Sequence, residues 1–139
     1  MTVLENKLRL ALGRALKAKK IKNGRVEIFL LKKRDMEKLR ERLRGFSWFK
    51  GDEALKISRE ESVNVLAFEE SARFPRPESS GKFLGEIYLN MGYKRGRYGD
   101  LGPLLVHGFL HLLGYRHGGE SDRIKMEKEE KRLWRVVKI

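Results

Sequence analysis

The 139 residues include no cysteine, which excludes disulfides and thiolate metal sites. Glutamine is missing too, and asparagine occurs four times. No apolar run approaches the roughly 18 residues of a membrane span. The opening stretch MTVLENKLRL is charged too early to hold the apolar block of a signal peptide. A cytoplasmic protein without a membrane partner is expected. Only three prolines are present, and neither an internal repeat nor a linker-like tract divides the chain, so one domain over residues 1–139 is expected. Negative charge is scarce: 32 Lys and Arg stand against 19 Asp and Glu, a net +13. The excess is local. Residues 1–50 hold 16 basic and 5 acidic groups, 51–100 hold 8 and 9, and 101–139 hold 8 and 5. A heat-adapted surface would raise both signs together. A one-sided excess points instead to a polyanion, for which nucleic acid is the leading candidate.

Apolar residues make up 40% of the chain, enough for a folded core. Leu4, Leu8, Ala11, Leu12, Ala15 and Leu16 fall on one face of a helix. VEIFLLKK (26–33), VNVLAF (63–68) and FLGEIYLN (83–90) read as strands. Asp35 can cap a second helix ended by Gly45, and Asp100 a third that runs to Leu113, with Pro103 in its first turn and Gly114 beyond it. Ser121 can start a last helix, with Met126, Glu130, Leu133, Trp134 and Val137 on one face. The expected class is α+β: one small mixed sheet of about four strands packed with helices.

All three histidines lie in HGFLHLLGYRH, residues 107–117. His107 and His111, four apart on a helix, stand about 40° apart on one face. Gly114 can reverse the chain and return His117. Three imidazoles leaving a position for water make an open zinc site, since a closed structural site needs a fourth ligand; nickel or another transition metal also accepts these donors. Such an ion lowers the pKa of bound water toward about 7 and polarises a phosphoryl oxygen. The spacing is that of the metzincin proteases, H-E-x-x-H-x-x-G-x-x-H, except that Gly108 stands in the place of the catalytic Glu. Without that base, a conventional peptidase is disfavoured. Candidate phosphate contacts are Arg73, Arg76, Lys94, Arg95, Arg97 and Arg116, with Tyr93 and Tyr98 flanking the middle three as possible stacking partners.

HGFLHLLGYRH resembles the H-G-x-L-H-L-x-G-Y-D-H signature of the YbeY family of bacterial rRNA-maturation endoribonucleases. His107, Gly108, Leu110, His111, Leu112, Gly114, Tyr115 and His117 match it. NVLAF (64–68), LGEIYL (84–89) and the Met126-Glu127 pair resemble further family blocks, in the family's order, over roughly residues 26–137. Arg116 replaces an Asp, Glu86 an Asp and Ala67 a Ser, and the segment before the histidines is shorter. The resemblance implies a single-strand-specific endoribonuclease with one zinc ion per chain on His107, His111 and His117. It implies an arginine acting on the phosphate, for which Arg59 is the nearest counterpart, offset by two residues. It also implies a role in ribosome quality control, with ribosomal RNA, the small subunit and ribosome-associated proteins as partners. Two other readings compete: a ribosome-binding assembly factor with a mainly structural metal, and a metalloprotease with another base.

Overall fold

The computed structural model describes residues 2–44, 64–69, 82–115 and 118–138. The elements in chain order are α1 (Val3–Ala18), β1 (Gly24–Leu31), α2 (Lys33–Arg44), β2 (Val65–Glu69), β3 (Lys82–Asn90), α3 (Tyr98–Leu112) and α4 (Glu120–Val137). The architecture is a mixed α/β layer structure. The described residues form three strands where about four were expected. Their order is β1-β3-β2, with β3 central, parallel to β1 and antiparallel to β2.

α1 starts where the Thr2 hydroxyl accepts the Glu5 N–H at 3.1 Å. This satisfies one of the donors that a helix start leaves unpaired. Leu8, Ala11, Leu12 and Ala15 form its buried stripe. They join Leu101, Leu105, Phe109 and Leu110 of α3 and Met126, Leu133 and Val137 of α4 over one face of the sheet. Full burial of Phe109 alone is worth about 2–3 kcal/mol. The other face carries a smaller core, in which Met36 and Leu43 of α2 pack on Leu66. β2 alternates accordingly, with Val65 toward the first core and Leu66 toward the second.

β3 breaks the two-residue alternation. Leu84, Ile87 and Leu89 all join the first core, although 84 and 87 have opposite parity. The register shift does this: Arg25 pairs with Phe83 and Val26 with Gly85, so Leu84 is the extra residue of a bulge. Gly85 sits there at φ +146°, a conformation that side chains disfavour.

Several helix starts differ from expectation. α2 begins at Lys33, and Asp35 lies inside its first turn. α3 begins at Tyr98, so Asp100 also lies in the first turn and Pro103 falls within the helix, where it cannot donate to the Gly99 carbonyl. In both cases the carboxylate suits the positive helix start without capping it. α4 begins at Glu120, one residue before Ser121.

Candidate metal centre

α3 carries both described histidines near its C-terminal end. His111 is buried at 4% exposure, and the His107 side chain is 21% exposed. Their rings meet edge to face, with centroids 4.7 Å apart, and the two Nε2 atoms are 3.1 Å apart. Two nitrogens each about 2.0–2.1 Å from one tetrahedral ion lie about 3.3 Å apart. The observed spacing is within a few tenths of that value.

The far side of each ring is held. The helix ends in a Schellman turn: Gly114, at φ +99°, donates to the His111 carbonyl at 3.0 Å, and Tyr115 donates to the Leu110 carbonyl at 3.1 Å. This turn brings the Tyr115 carbonyl to 3.0 Å from His111 Nδ1. A carbonyl only accepts, so Nδ1 carries the proton and Nε2 presents its lone pair. His107 Nδ1 lies 2.9 Å from Glu130 Oε1 of α4, which imposes the same tautomer. Two Nε2 lone pairs therefore face each other, an arrangement suited to a shared cation. A carboxylate and a carbonyl behind ligating imidazoles form the outer shell typical of metal sites. The donor set thus fits zinc, and nickel or another transition metal equally in kind. Among the described residues, no group of three His, Cys, Asp or Glu side chains converges on one point. The third expected ligand, His117, lies outside the described residues, as do Arg116, Arg59, Arg73 and Arg76.

Tyr115 is itself anchored. Its hydroxyl accepts from Lys19 Nζ at 3.0 Å, and the same ammonium meets Glu129 Oε1 at 3.1 Å. Glu129 is also gripped by Arg132, whose Nε donates at 2.9 Å. Arg132, ahead of Lys19, holds the Glu129 carboxyl below its ordinary range against the opposing effect of burial. Burial pushes the Lys19 ammonium down, but Tyr115 and Glu129 outweigh it and the net shift is upward.

Gly108 has a packing role that its place in the motif did not reveal. It is buried against the sheet, and a Cβ there would lie 3.1 Å from Ile87 Cγ2 and 3.2 Å from Val65 Cγ2. The position that carries a protease's Glu therefore faces the core of this fold.

Lys94, Arg95 and Arg97 are exposed, but they precede the start of α3. Ten residues of helix rise separate Arg97 from His107, about 15 Å. Tyr98 is committed inward, donating to the Val137 carbonyl at 2.8 Å and packing on Trp134. The structure does not bring this turn to the histidines. Sequence reasoning placed Glu130 on the buried face of α4 but missed its role. A carboxylate among Met126, Leu133 and Val137 was the available signal. The parts played by Lys19, Glu129 and the Tyr115 carbonyl had none, because they depend on how α1 and α4 pack around the end of α3.

Replacing Glu130 with alanine is expected to weaken zinc binding about 10–100-fold, with glutamine recovering part of the loss. Competition with a chromogenic chelator measures this. Unchanged affinity in the alanine variant would remove Glu130 from the site.

A family model described as Endoribonuclease YbeY matches residues 54–138, more than half of the chain. An Endoribonuclease YbeY from Rhodopseudomonas palustris (strain ATCC BAA-98 / CGA009) is 31% identical over 83 residues, covering 54% of this chain and 44% of that protein. One from Roseiflexus sp. (strain RS-1) is 32% identical over 87 residues, 54% of each chain. One from Thermodesulfovibrio yellowstonii (strain ATCC 51303 / DSM 11347 / YP87) is 32% identical over 97 residues, 61% of each. The matches span about half the length of these relatives. The family match takes in β2, β3, α3 with its histidines, and α4 with Glu130, and on that ground the chain belongs to the YbeY family.

Proposed function

We propose that the chain is a metal-dependent, single-strand-specific endoribonuclease that acts in ribosomal RNA maturation and ribosome quality control in the cytoplasm. Its partners are ribosomal RNA, the small ribosomal subunit and ribosome-associated proteins. The observation that carries the metal reading is the pair of Nε2 atoms 3.1 Å apart, with both Nδ1 atoms engaged behind them. His107 and His111, with His117 as the third ligand, would hold the ion, zinc first and nickel or another transition metal second. When bound, the metal supplies Lewis acidity toward a phosphodiester and its attacking water.

The chain's own residues do the rest. Glu130 and the Tyr115 carbonyl fix the ring orientations, so no reorganisation is needed when substrate arrives. Arg59 is assigned to the charge that builds on the phosphoryl oxygens. Gly108 supports the nuclease reading over a protease, because its position admits no carboxylate without disturbing Val65 and Ile87.

The test assays single-stranded RNA and casein side by side, with and without chelator. RNA cleavage abolished by the chelator and restored by zinc, with casein intact, is expected. Cleaved casein would reinstate the protease reading. RNA bound but never cut, with the fold lost on chelation, would favour an assembly factor with a structural metal.

A further inference from the structure

The matched part of the chain begins at residue 54, so α1, β1 and α2 lie outside it, and the charge excess is in those elements. Between Glu5 and Glu27 the sequence has eight basic residues and no acidic one. Lys19 is drawn inward to Tyr115 and Glu129. Its neighbours Lys17, Lys20 and Lys22 are exposed, and among the described residues none of the three has a carboxylate partner. They rim a cleft of about 480 Å³ at the turn from α1 into β1, with Leu16 and Ile21 as its apolar lining and Gly13 at its edge.

The turn is fixed by the end of α1: Lys20, at φ +57°, donates its N–H to the Lys17 carbonyl at 3.0 Å, and Ile21 donates to the Leu16 carbonyl at 2.9 Å, a Schellman ending that sets Lys20 and Lys22 beside Ile21. The turn is linked to the histidine helix by one residue on each side, since Lys19 donates to the Tyr115 hydroxyl and the Tyr115 carbonyl accepts from His111 Nδ1. The 94–97 turn, with comparable charge, lies at the other end of α3.

We propose that this cleft docks single-stranded RNA beyond the scissile position: Lys17, Lys20 and Lys22 neutralise backbone phosphates, and Leu16 and Ile21 receive the face of a base or ribose. The assignment rests on the nuclease reading for its choice of polyanion. An apolar lining inside a basic rim suits a strand with unpaired bases, whose faces are free to be covered.

The test is fluorescence anisotropy with a labelled single-stranded RNA of about 12 nucleotides over a salt series, on the full metal-loaded chain. Each neutralised phosphate contributes about 0.7 to the salt slope, so the K17A/K20G/K22A variant should lose about 2 from that slope. Extrapolated from 1 M salt, this corresponds to a loss on the order of fiftyfold at 0.15 M. Gly at position 20 relaxes the backbone, so the variant should melt no lower than the parent. Gly13→Leu fills the cleft from a helix position where a Cβ meets nothing within 4 Å, and leucine favours the helix. It should lower affinity about tenfold with the slope unchanged. Parent-like affinity and slope in the triple variant would overturn the proposal. So would an equal loss of binding to polyglutamate, which would make the cleft a site for acidic chains in general. RNA docking as described in a chain that cuts no RNA would sustain the cleft and remove the nuclease reading alone.

Discussion

Replacing His107 with alanine is expected to lower RNA cleavage about a thousandfold while the protein stays folded. Metal activation of a phosphodiester is worth several kcal/mol in the transition state, and about 4 kcal/mol is about a thousandfold at 1.36 kcal/mol per factor of ten. The fold should survive because His107 is at the rim: its side chain is 21% exposed, and that of its partner Glu130 is 30% exposed, so water can replace the lost ring. His111→Ala differs in an informative way. His111 is buried, and its loss removes the hydrogen bond between its Nδ1 and the Tyr115 carbonyl. Such a bond contributes about 0.5–1.5 kcal/mol, so this variant should lose activity and also melt lower. Metal content, melting temperature and cleavage measured on both variants separate the effects. A His107→Ala protein that unfolds would favour the structural metal, and one that cuts RNA at the parental rate would remove the site from the chemistry.

The second large effect is on stability. Gly108→Glu restores the residue that a metzincin-like protease carries, yet it should produce an unstable protein and no peptidase. The new Cβ would already press on Ile87 Cγ2 and Val65 Cγ2, both in the main core. The carboxylate beyond it would be driven among apolar groups. Overpacking and burial of an unpaired charge together cost about 3–5 kcal/mol, a large share of the roughly 5–15 kcal/mol that holds a small domain. Gly108→Ala should change stability by less than about 1 kcal/mol, because the helix preference for alanine offsets the tight fit. Urea denaturation of the two variants decides this. A Glu variant as stable as the parent would show that Gly108 does not face the sheet as described.

The elements legible in the sequence were those whose apolar pattern is local. α1 follows its stripe of Leu8, Ala11, Leu12 and Ala15, and β3 lies close to the run from 83 to 90. Helix starts were less legible, because Asp35 and Asp100 favour a first turn as readily as a cap. The Gly85 bulge was invisible, since strict alternation gives no sign of an extra residue. Within the site, the meeting of His107 and His111 was readable from spacing alone. What holds the rings was not, because Glu130 is 23 positions from His107 and Lys19 is 96 from Tyr115. Position along the helix was equally hidden: Lys94, Arg95 and Arg97 are near the histidine helix in sequence but precede its start, whereas Lys19, far away in sequence, reaches Tyr115 beyond its end.

The central claim is that His107 and His111 help hold one ion on which RNA cleavage depends. It is tested most directly by stripping the protein with chelator and titrating zinc back, following bound metal and single-stranded RNA cleavage in the same samples. Cleavage should be absent at the start, rise in proportion to bound metal and level off at about one ion per chain. Full cleavage by the metal-free protein, or metal uptake that leaves cleavage at zero, would contradict it.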